Sequence, residues 1–511
     1  MLNTDIYLYD REISKNADYT VWMAFPGVKS FALSSLGFLW MFRSIDLMDD
    51  VNVEIVCSDT KKTKFMRDNV DLIGFSFTFD TDYLAIFSML EKNNIPLKSN
   101  ERNDASPLIF AGGPVVTANP TPYNEIFDFF VIGDGENINA EIIKLCKENR
   151  DKPKSEVLKL LSEIEGIYVP KFKSEVNKIT NKLSECVYTP IISENAFFKN
   201  TFILEMSRGC ANRCGFCLAS YCNLPLRTVQ YDDIIDTIEL GLKYTNKIAL
   251  LGAQISAHPQ FNEVFEYLYK KMQNGDKIEM SVSSLRVDAI KPEIVKTLVS
   301  GGQKNVTLAI EAGSERLRKV INKNLSEEQI FNAVKIAVDN GLKGLKFYGM
   351  IGLPTETYED LDAMIDLAKR IKQQYKGFDI TFGFSSFVPK PNTPFQWIGR
   401  EDTKSLEKKA QYLKKEMHKI GVTANISSIK WDYWQAVLSR GDSSFTDFLI
   451  DVYKSGGALG AYKKSAQKFN INADYYALEN YNFDQNLPWD FISIKPGKEF
   501  LIAENQKLLS Q

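Results

Sequence analysis

Three cysteines share one short stretch, Ser207-Arg208-Gly209-Cys210-Ala211-Asn212-Arg213-Cys214-Gly215-Phe216-Cys217. Their spacing is Cys-x3-Cys-x2-Cys, with an aromatic residue just before the last. Three thiolates on one loop can hold three corners of a cubic iron–sulfur cluster and leave the fourth iron without a protein ligand. An open coordination position is what catalysis at a metal requires, whereas closed structural sites take four protein ligands. A zinc knuckle completed by a distant residue is the alternative reading of the same thiols. The other cysteines, Cys57, Cys146, Cys186 and Cys222, are scattered without paired spacing, so no second cluster is expected. Cys222 follows the motif closely and is read as a small filler or as a redox or substrate-handling thiol beside the site.

Such a loop needs a frame, and the chain is long enough to build one. Its 511 residues correspond to two to four domains, and 44% hydrophobic with 25% charged residues is the balance of an ordinary soluble globular protein. A net charge of −3 excludes a broadly basic nucleic-acid surface and leaves only a local patch open. No apolar run approaches the roughly 18–20 residues of a membrane helix. The stretch MLNTDIYLYDREISK carries acids early and has no apolar core, so no signal peptide is expected. The cytoplasm, where thiols stay reduced, is the expected location.

Residues 1–190 alternate strands with helices. Strands are expected at Val21–Pro26, Val53–Cys57, Asp71–Phe77, Leu108–Pro114 and Phe127–Ile132. This alternation predicts a parallel, doubly wound sheet, which binds ligands at its carboxyl strand ends. Ser76, Gly112-Gly113-Pro114 and Gly133-Asp134-Gly135-Glu136 fall at those ends. From 195 to 400 the unit repeats. Strands at Thr201–Met206, Lys247–Leu251, Lys277–Val282, Asn305–Ile310, Gly344–Tyr348 and Asp379–Phe384 predict a partial (β/α)6 barrel, with its chemistry at the carboxyl rim. That rim carries Gln254, Ser283, Arg286, Glu311 and the run Ile351-Gly352-Leu353-Pro354. Ile234, Ile235, Ile238 and Leu242 mark one helix face. Ser326 and Gln329 form a capping box for another helix, whose core side is Ile330, Ala333, Val334, Ala337 and Val338 and whose end is Gly341.

Residues 401–511 read as a mostly helical accessory domain. Lys404 to Lys419 carries six lysines opposite an apolar stripe of Leu406, Ala410, Leu413, Met417 and Ile420. It is a solvated helix packed on the barrel, or a face for an anionic partner. Trp431, Tyr433 and Trp434, and Leu487-Pro488-Trp489-Asp490, are core clusters or ligand platforms, placed to cap the open side of the barrel.

The cysteine loop resembles the signature of the radical S-adenosylmethionine (SAM) superfamily. The resemblance extends through Ala309–Lys323, Phe387–Trp397 and Leu487–Phe500. It implies a [4Fe-4S] cluster on Cys210, Cys214 and Cys217 that binds SAM at its open iron and releases a 5′-deoxyadenosyl radical to abstract hydrogen. It implies that Phe216 packs beside the adenine, that Gln254, Ser283, Arg286 and Glu311 contact SAM, and that Ile351 to Pro354 packs against the adenine. Arg286 is suited to pair with the SAM carboxylate, and Glu311 to accept from ribose hydroxyls or the ammonium. The alternative for each is a salt bridge within the barrel. Gly252-Ala253-Gln254 replaces the usual Gly-Gly-Glu, and a neutral amide accepts more weakly than a carboxylate.

The N-terminal domain resembles the cobalamin-binding type found in class B members, through Ser76, Gly112-Gly113 and Gly133-Asp134-Gly135-Glu136. An ordinary sheet with tight turns and no ligand is the alternative. The chain's two histidines, His258 and His418, both lie outside this domain. Cobalamin therefore binds without an imidazole from it, or the pocket is vestigial.

Two activities follow from the resemblance: cobalamin-dependent methylation of an unreactive carbon or phosphorus, or a cobalamin-independent radical rearrangement or bond formation. A non-catalytic iron–sulfur scaffold or corrinoid carrier is the reading from another class. Methylthio transfer to RNA is not expected without a second cysteine set. The implied partners are an unnamed substrate and an electron donor such as flavodoxin or ferredoxin, with no membrane and no expected nucleic acid. Tyr348 and Cys222 are candidates to quench a substrate radical, by position alone.

Overall fold

The computed structural model describes residues 5–11, 17–60, 70–172 and 174–511. Residues 1–4 and 12–16, part of the stretch read for a leader, lie outside them.

Five parallel strands form the N-terminal sheet: Tyr19–Phe25 (β1), Val51–Cys57 (β2), Leu72–Ser76 (β3), Leu108–Gly112 (β4) and Phe129–Val131 (β5). Ile167–Tyr168 (β6) pairs antiparallel with β5 at the edge. The spatial order is β2-β1-β3-β4-β5-β6. Tyr19 through Ala24 is buried without interruption, as in a parallel strand covered on both faces. The chain leaves β1 for β2 on one side and returns to β3 on the other. That reversal opens a crevice at the carboxyl ends.

Seven more parallel strands follow: Thr201–Arg208 (β7), Lys247–Gly252 (β8), Glu279–Val282 (β9), Asn305–Glu311 (β10), Gly344–Ile351 (β11), Asp379–Ser386 (β12) and Thr423–Ile426 (β13). β7-β8-β9 and β10-β11-β12-β13 are each continuous, and one parallel bridge, Leu285 to Leu308, joins them. The alternation thus runs past residue 400, through the helix Thr403–Lys419 into β13. Thr423-Ala424-Asn425-Ile426 is too short and polar to announce a strand, and pairing with β12 supplies what local propensity lacks.

The helices follow their sequence signals. Ser326 and Gln329 form the capping box of the helix Glu327–Asp339, and Gly341 follows at φ +92°. Within it Ile330, Ala333, Val334 and Ala337 are buried, and Val338 is only partly so. In the helix Thr403–Lys419, Leu406, Ala410, Leu413 and Met417 pack on the barrel. Lys409 is buried there, 3.0 Å from Glu356 and 2.6 Å from Glu401. No helix among the described residues is long and apolar enough to cross a membrane.

The C-terminal aromatic clusters do not cap the barrel. Trp434 and Trp489 join a core shared with Phe75, Phe77, Tyr83 and Phe87 of the N-terminal domain. The Tyr83 hydroxyl meets that of Tyr462 at 2.7 Å, and Trp489 Nε1 donates to Gln396 Oε1 at 2.6 Å. Large rings bury most area where two layers meet, and here those layers are the sheet helices and the terminal helices. Truncating Trp489, 1% exposed, to alanine should lower stability by about 3–5 kcal/mol. Denaturant titration checks this, and a loss below about 1 kcal/mol would show that the interface is not held by this ring.

Candidate functional site

The cysteine loop leaves the end of β7 through Gly209. At φ +84° a Cβ there would lie 2.3 Å from the Asn223 carbonyl oxygen, so only glycine makes this turn. Beyond it the loop is tied down from several directions. Asn322 Nδ2 donates to the carbonyls of Asn212 at 2.9 Å and Arg213 at 3.0 Å. The Gly215 amide donates to the Ile321 carbonyl at 3.1 Å, and the Tyr221 hydroxyl to that of Arg213 at 2.9 Å. Phe395 and Leu508 crowd the α-carbon of Gly215, so the helix Lys498–Leu509 braces the loop from the C-terminal segment.

Cys210 and Cys214 are buried and Cys217 is partly so. Charge on Cys210 or Cys217 raises the Cys214 thiol, and charge on Cys210 raises that of Cys217, so the three lie within electrostatic reach of one another. Burial pushes the Cys214 thiol up to about 12, and Lys323 opposes that rise. Ligation displaces such protons, because only thiolates bind. Among the described residues no three His, Cys, Asp or Glu side chains converge as the ligands of a single ion do. A cube of irons and sulfides instead keeps its ligands at separate corners, and an all-thiol donor set on one loop fits it.

Of the rim residues expected from the sequence, Gln254 and Glu311 lie beside this loop. Gln254 Oε1 accepts from Asn212 Nδ2 at 2.6 Å and from Cys210 Sγ at 3.3 Å. Glu311 pairs with Lys323 at 3.2 Å, and both act electrostatically on Cys214. Glu311 ends β10 at φ +64°, where the register with β11 shifts. A non-glycine residue in that conformation is strained, as functional sites often are. Ser283 Oγ is buried without a hydrogen-bond partner. Such an orphan fits a ligand atom not yet in place. Arg286 lies against Asp288, with Nε–Oδ1 and Nη2–Oδ2 each at 3.0 Å. Both charged candidates therefore carry salt bridges in this structure.

Phe216 packs with Ala312, Leu317, Leu353, Phe387 and Phe395 in a small apolar cluster. Ile351 is not part of it. Strand alternation turns Leu345, Phe347 and Ile351 outward into the core under the helices. Cys222 is likewise turned away. It is buried in the core shared with the N-terminal domain, where burial pushes its thiol up to about 12.

A cleft lies at the N-terminal crevice. Ser76, Gly112, Gly113, Gly133 and Gly135 form one wall, and Leu36, Phe38, Trp40 and Met41 another. The cleft holds about 1200 Å³ of open space, its mouth included. Gly113 sits at φ +117°, where a Cβ would meet the Phe77 carbonyl at 2.6 Å. Gly133 and Gly135 are likewise held against Ile179 and Met41, of these four glycines Gly112 alone has room around its α-carbon, and no histidine lines the cleft. His258 is buried elsewhere, with Nε2 2.8 Å from the Val229 carbonyl.

The cleft's far wall is the barrel itself, through Glu205, Arg208 and Leu251. Arg208 reaches Glu205 at 2.7 Å, Asp134 at 3.3 Å and also Glu136, while Arg227 pairs with Asp134. The Asn181 amide completes Asp134 at 2.9 Å. Sequence reading missed this network, as it missed Asn212, Asn322 and Lys323. Arg208 and Asp134 stand 74 positions apart in the chain, and only Asp134 and Glu136 were visible, as part of a glycine turn.

A family model described as the radical SAM superfamily matches residues 204–368, and one described as radical SAM proteins, N-terminal, matches residues 41–170. An uncharacterized protein of Methanocaldococcus jannaschii is 30% identical over 405 residues, 78% of this chain and 83% of its own. An uncharacterized methyltransferase of Pyrococcus horikoshii is 25% identical over 373 residues, 69% of this chain and 74% of its own. A putative methylthiotransferase of Methanocaldococcus jannaschii is 25% identical over 308 residues, 58% and 64% of the two chains. Among solved structures, the cobalamin-dependent S-adenosylmethionine radical enzyme OxsB, with aqua-cobalamin and SAM bound, superposes with a TM-score of 0.54. That match covers 96% of this chain and 79% of OxsB at 13% identity, a likeness of fold.

The Asp134 network predicts a specific acid response. Burial raises the Asp134 carboxyl, but Arg208 and Arg227 outweigh it and hold the group below its ordinary value. Its stabilisation is therefore complete above the ordinary carboxylate range and is lost as pH falls through the depressed value. Asp134→Asn should destabilise the chain by about 3–5 kcal/mol at neutral pH, by leaving two arginines short of an anion. It should also flatten the acid limb of the stability profile, and an unchanged limb in a pH series of denaturant titrations would refute the assignment.

Proposed function

Because the chain belongs to the radical SAM superfamily, we propose that it cleaves SAM reductively at a cluster on Cys210, Cys214 and Cys217 and methylates its substrate with the help of a corrinoid in the N-terminal cleft. The chain is an enzyme, and an electron donor and a substrate are the partners its family requires. The observation that carries the reading is the convergence of the cysteine loop, Gln254, the orphaned Ser283 hydroxyl and the strained Glu311 on one strand-end rim.

When bound, the cluster supplies an electron and an iron open to SAM, and a corrinoid supplies a methyl carrier. The three cysteines hold the first, and Asn322, Tyr221 and the terminal helix keep their loop in place. Gln254 and Asn212 fix the orientation of the Cys210 edge. The Ser283 hydroxyl is free to bond SAM, and the Glu311 carboxylate can take SAM's hydroxyls while Lys323 balances its charge. Phe216, Leu353 and Phe387 offer an apolar wall that excludes water from the adenine side. Ser76, Gly112 and Gly113 would take the corrinoid edge, with Leu36, Trp40 and Met41 opposite.

A second reading, in which the cleft only shapes the substrate site, is favoured by the absence of histidine among its lining residues. Methylthio transfer is less well supported. Cys57, Cys146, Cys186 and Cys222 are each buried in a hydrophobic core.

Anaerobic reconstitution should load about four irons per chain, and alanine at all three loop cysteines should abolish the cluster absorbance. The reduced enzyme should then release 5′-deoxyadenosine from SAM, measured by chromatography. A fully loaded cluster that never does so would return the chain to the scaffold class.

Glu311→Gln and Arg286→Met should each weaken SAM binding by about 1–3 kcal/mol. An unchanged Arg286→Met affinity would leave that arginine to Asp288 alone. Hydroxocobalamin, once bound and reduced to cobalt(II), should show no protein nitrogen splitting in its spin-resonance spectrum. A nitrogen splitting from the protein, or failure to bind, would overturn the corrinoid assignment as drawn.

A further inference from the structure

The inner face of the barrel carries a cation that the proposed function does not use. Along β10, β11 and β12 the alternate residues Val306, Leu308 and Ile310, Leu345 and Phe347, and Ile380, Phe382 and Phe384 are buried against the outer helices. The residues between them therefore face the bore. Strand register puts Thr307, Lys346 and Thr381 side by side there, with Thr423 of β13 next in the row.

Lys346 is half-buried and has no carboxylate or hydrogen-bond acceptor within reach among the described residues. Its contact is the Tyr348 ring, 5.0 Å from the ammonium to the ring centre. Three other cations of the barrel are answered: Lys247 by Glu279 at 3.9 Å, Arg286 by Asp288 and Lys323 by Glu311. Tyr348 is 40% exposed, and among the described residues its hydroxyl has no partner either. On the neighbouring strand Gly383 supplies the room. A Cβ there would sit 3.4 Å from both Lys346 Cε and Tyr348 Cδ1.

A half-buried ammonium without an anion is unfavourable, and one flanked by hydroxyl donors is a ready site for an oxyanion. Adjacent strands are spaced about 4.8 Å apart, so the Thr307 and Thr381 hydroxyls stand on either side of the Lys346 side chain. Lys346 lies four residues below Met350 on β11, and at about 3.3 Å per residue that is roughly 13 Å beneath the rim. A molecule anchored at Lys346 and long enough to span that distance would present its far end to the cluster rim.

We propose that Lys346, flanked by Thr307 and Thr381 and overlain by Tyr348, binds the oxyanion group, phosphate or carboxylate, of the substrate. The substrate class is an extended anionic molecule, anchored in the bore and modified at its opposite end. This deepens the radical SAM reading and rests on it for the location of the chemistry.

The test titrates inorganic phosphate and acetate separately into the full-length chain by calorimetry. One of them should bind saturably, phosphate marking a phosphorylated substrate and acetate a carboxylate. Lys346→Met should weaken that binding by about tenfold to a hundredfold, and Lys346→Arg, which keeps the charge, should stay within about threefold. Thr381→Val, which keeps the branched shape, should weaken it by about twofold to tenfold, and this arm stands if Lys346→Met does not fold. Absence of binding for both anions, or wild-type affinity in Lys346→Met and Thr381→Val, overturns the subsite. SAM cleavage by the wild-type chain is scored independently. Its absence with anion binding intact strikes the radical chemistry and spares the subsite.

Discussion

Two strand-end edges meet in this protein, and a charge network joins them. Parallel strands gather their free carboxyl ends on one side, so each sheet offers one such edge. Arg208 and Arg227 of the barrel side grip Asp134 and Glu136 of the N-terminal side, with Glu205 bonded to the same Arg208. Arg208 is also the last residue of β7, immediately before Gly209 and Cys210. The contact that closes the domain interface is therefore the contact from which the cysteine loop departs. Paired charges of this kind add little net stability over apolar packing, but they tolerate only one geometry.

Around that joint the other parts fall into supporting roles. The helix Leu36–Asp46 lays Leu36 and Trp40 against Ile203 and Val187, so the N-terminal domain covers the inner face of β7. The C-terminal helices fill the opposite flank of the N-terminal sheet and send Leu508 to the back of the cysteine loop. β7 and β13 do not pair, and the polar row of Thr307, Lys346 and Thr381 is partly exposed in the bore. A closed barrel would fill that space with apolar layers, and an open one leaves room for a substrate.

Two departures from ordinary geometry sit at the carboxyl rim of the barrel. Glu311 is held in a left-handed conformation and Ser283 keeps a buried hydroxyl without a partner, both at the carboxyl rim. Other parts of the barrel follow ordinary rules, such as the capping box of the helix Glu327–Asp339 and the outward alternation of β10, β11 and β12.

The chain's local patterns determined the cysteine loop, five strands of the first sheet, six of the second and the glycine turns at their ends. Each of these rests on near neighbours in sequence: a spacing, an alternation, a φ that only glycine accepts. What crosses the chain was decided by tertiary structure alone. Nothing local couples Arg208 to Asp134, Cys214 to Asn322 or Trp489 to Gln396, because each partner is chosen by packing between separate elements. β13 appears only because β12 offers it a ladder. The same reason separates Leu353, which joins Phe216, from Ile351, which does not. The two are two residues apart on a strand end, and only the fold shows where the strand's alternation stops and the turn begins.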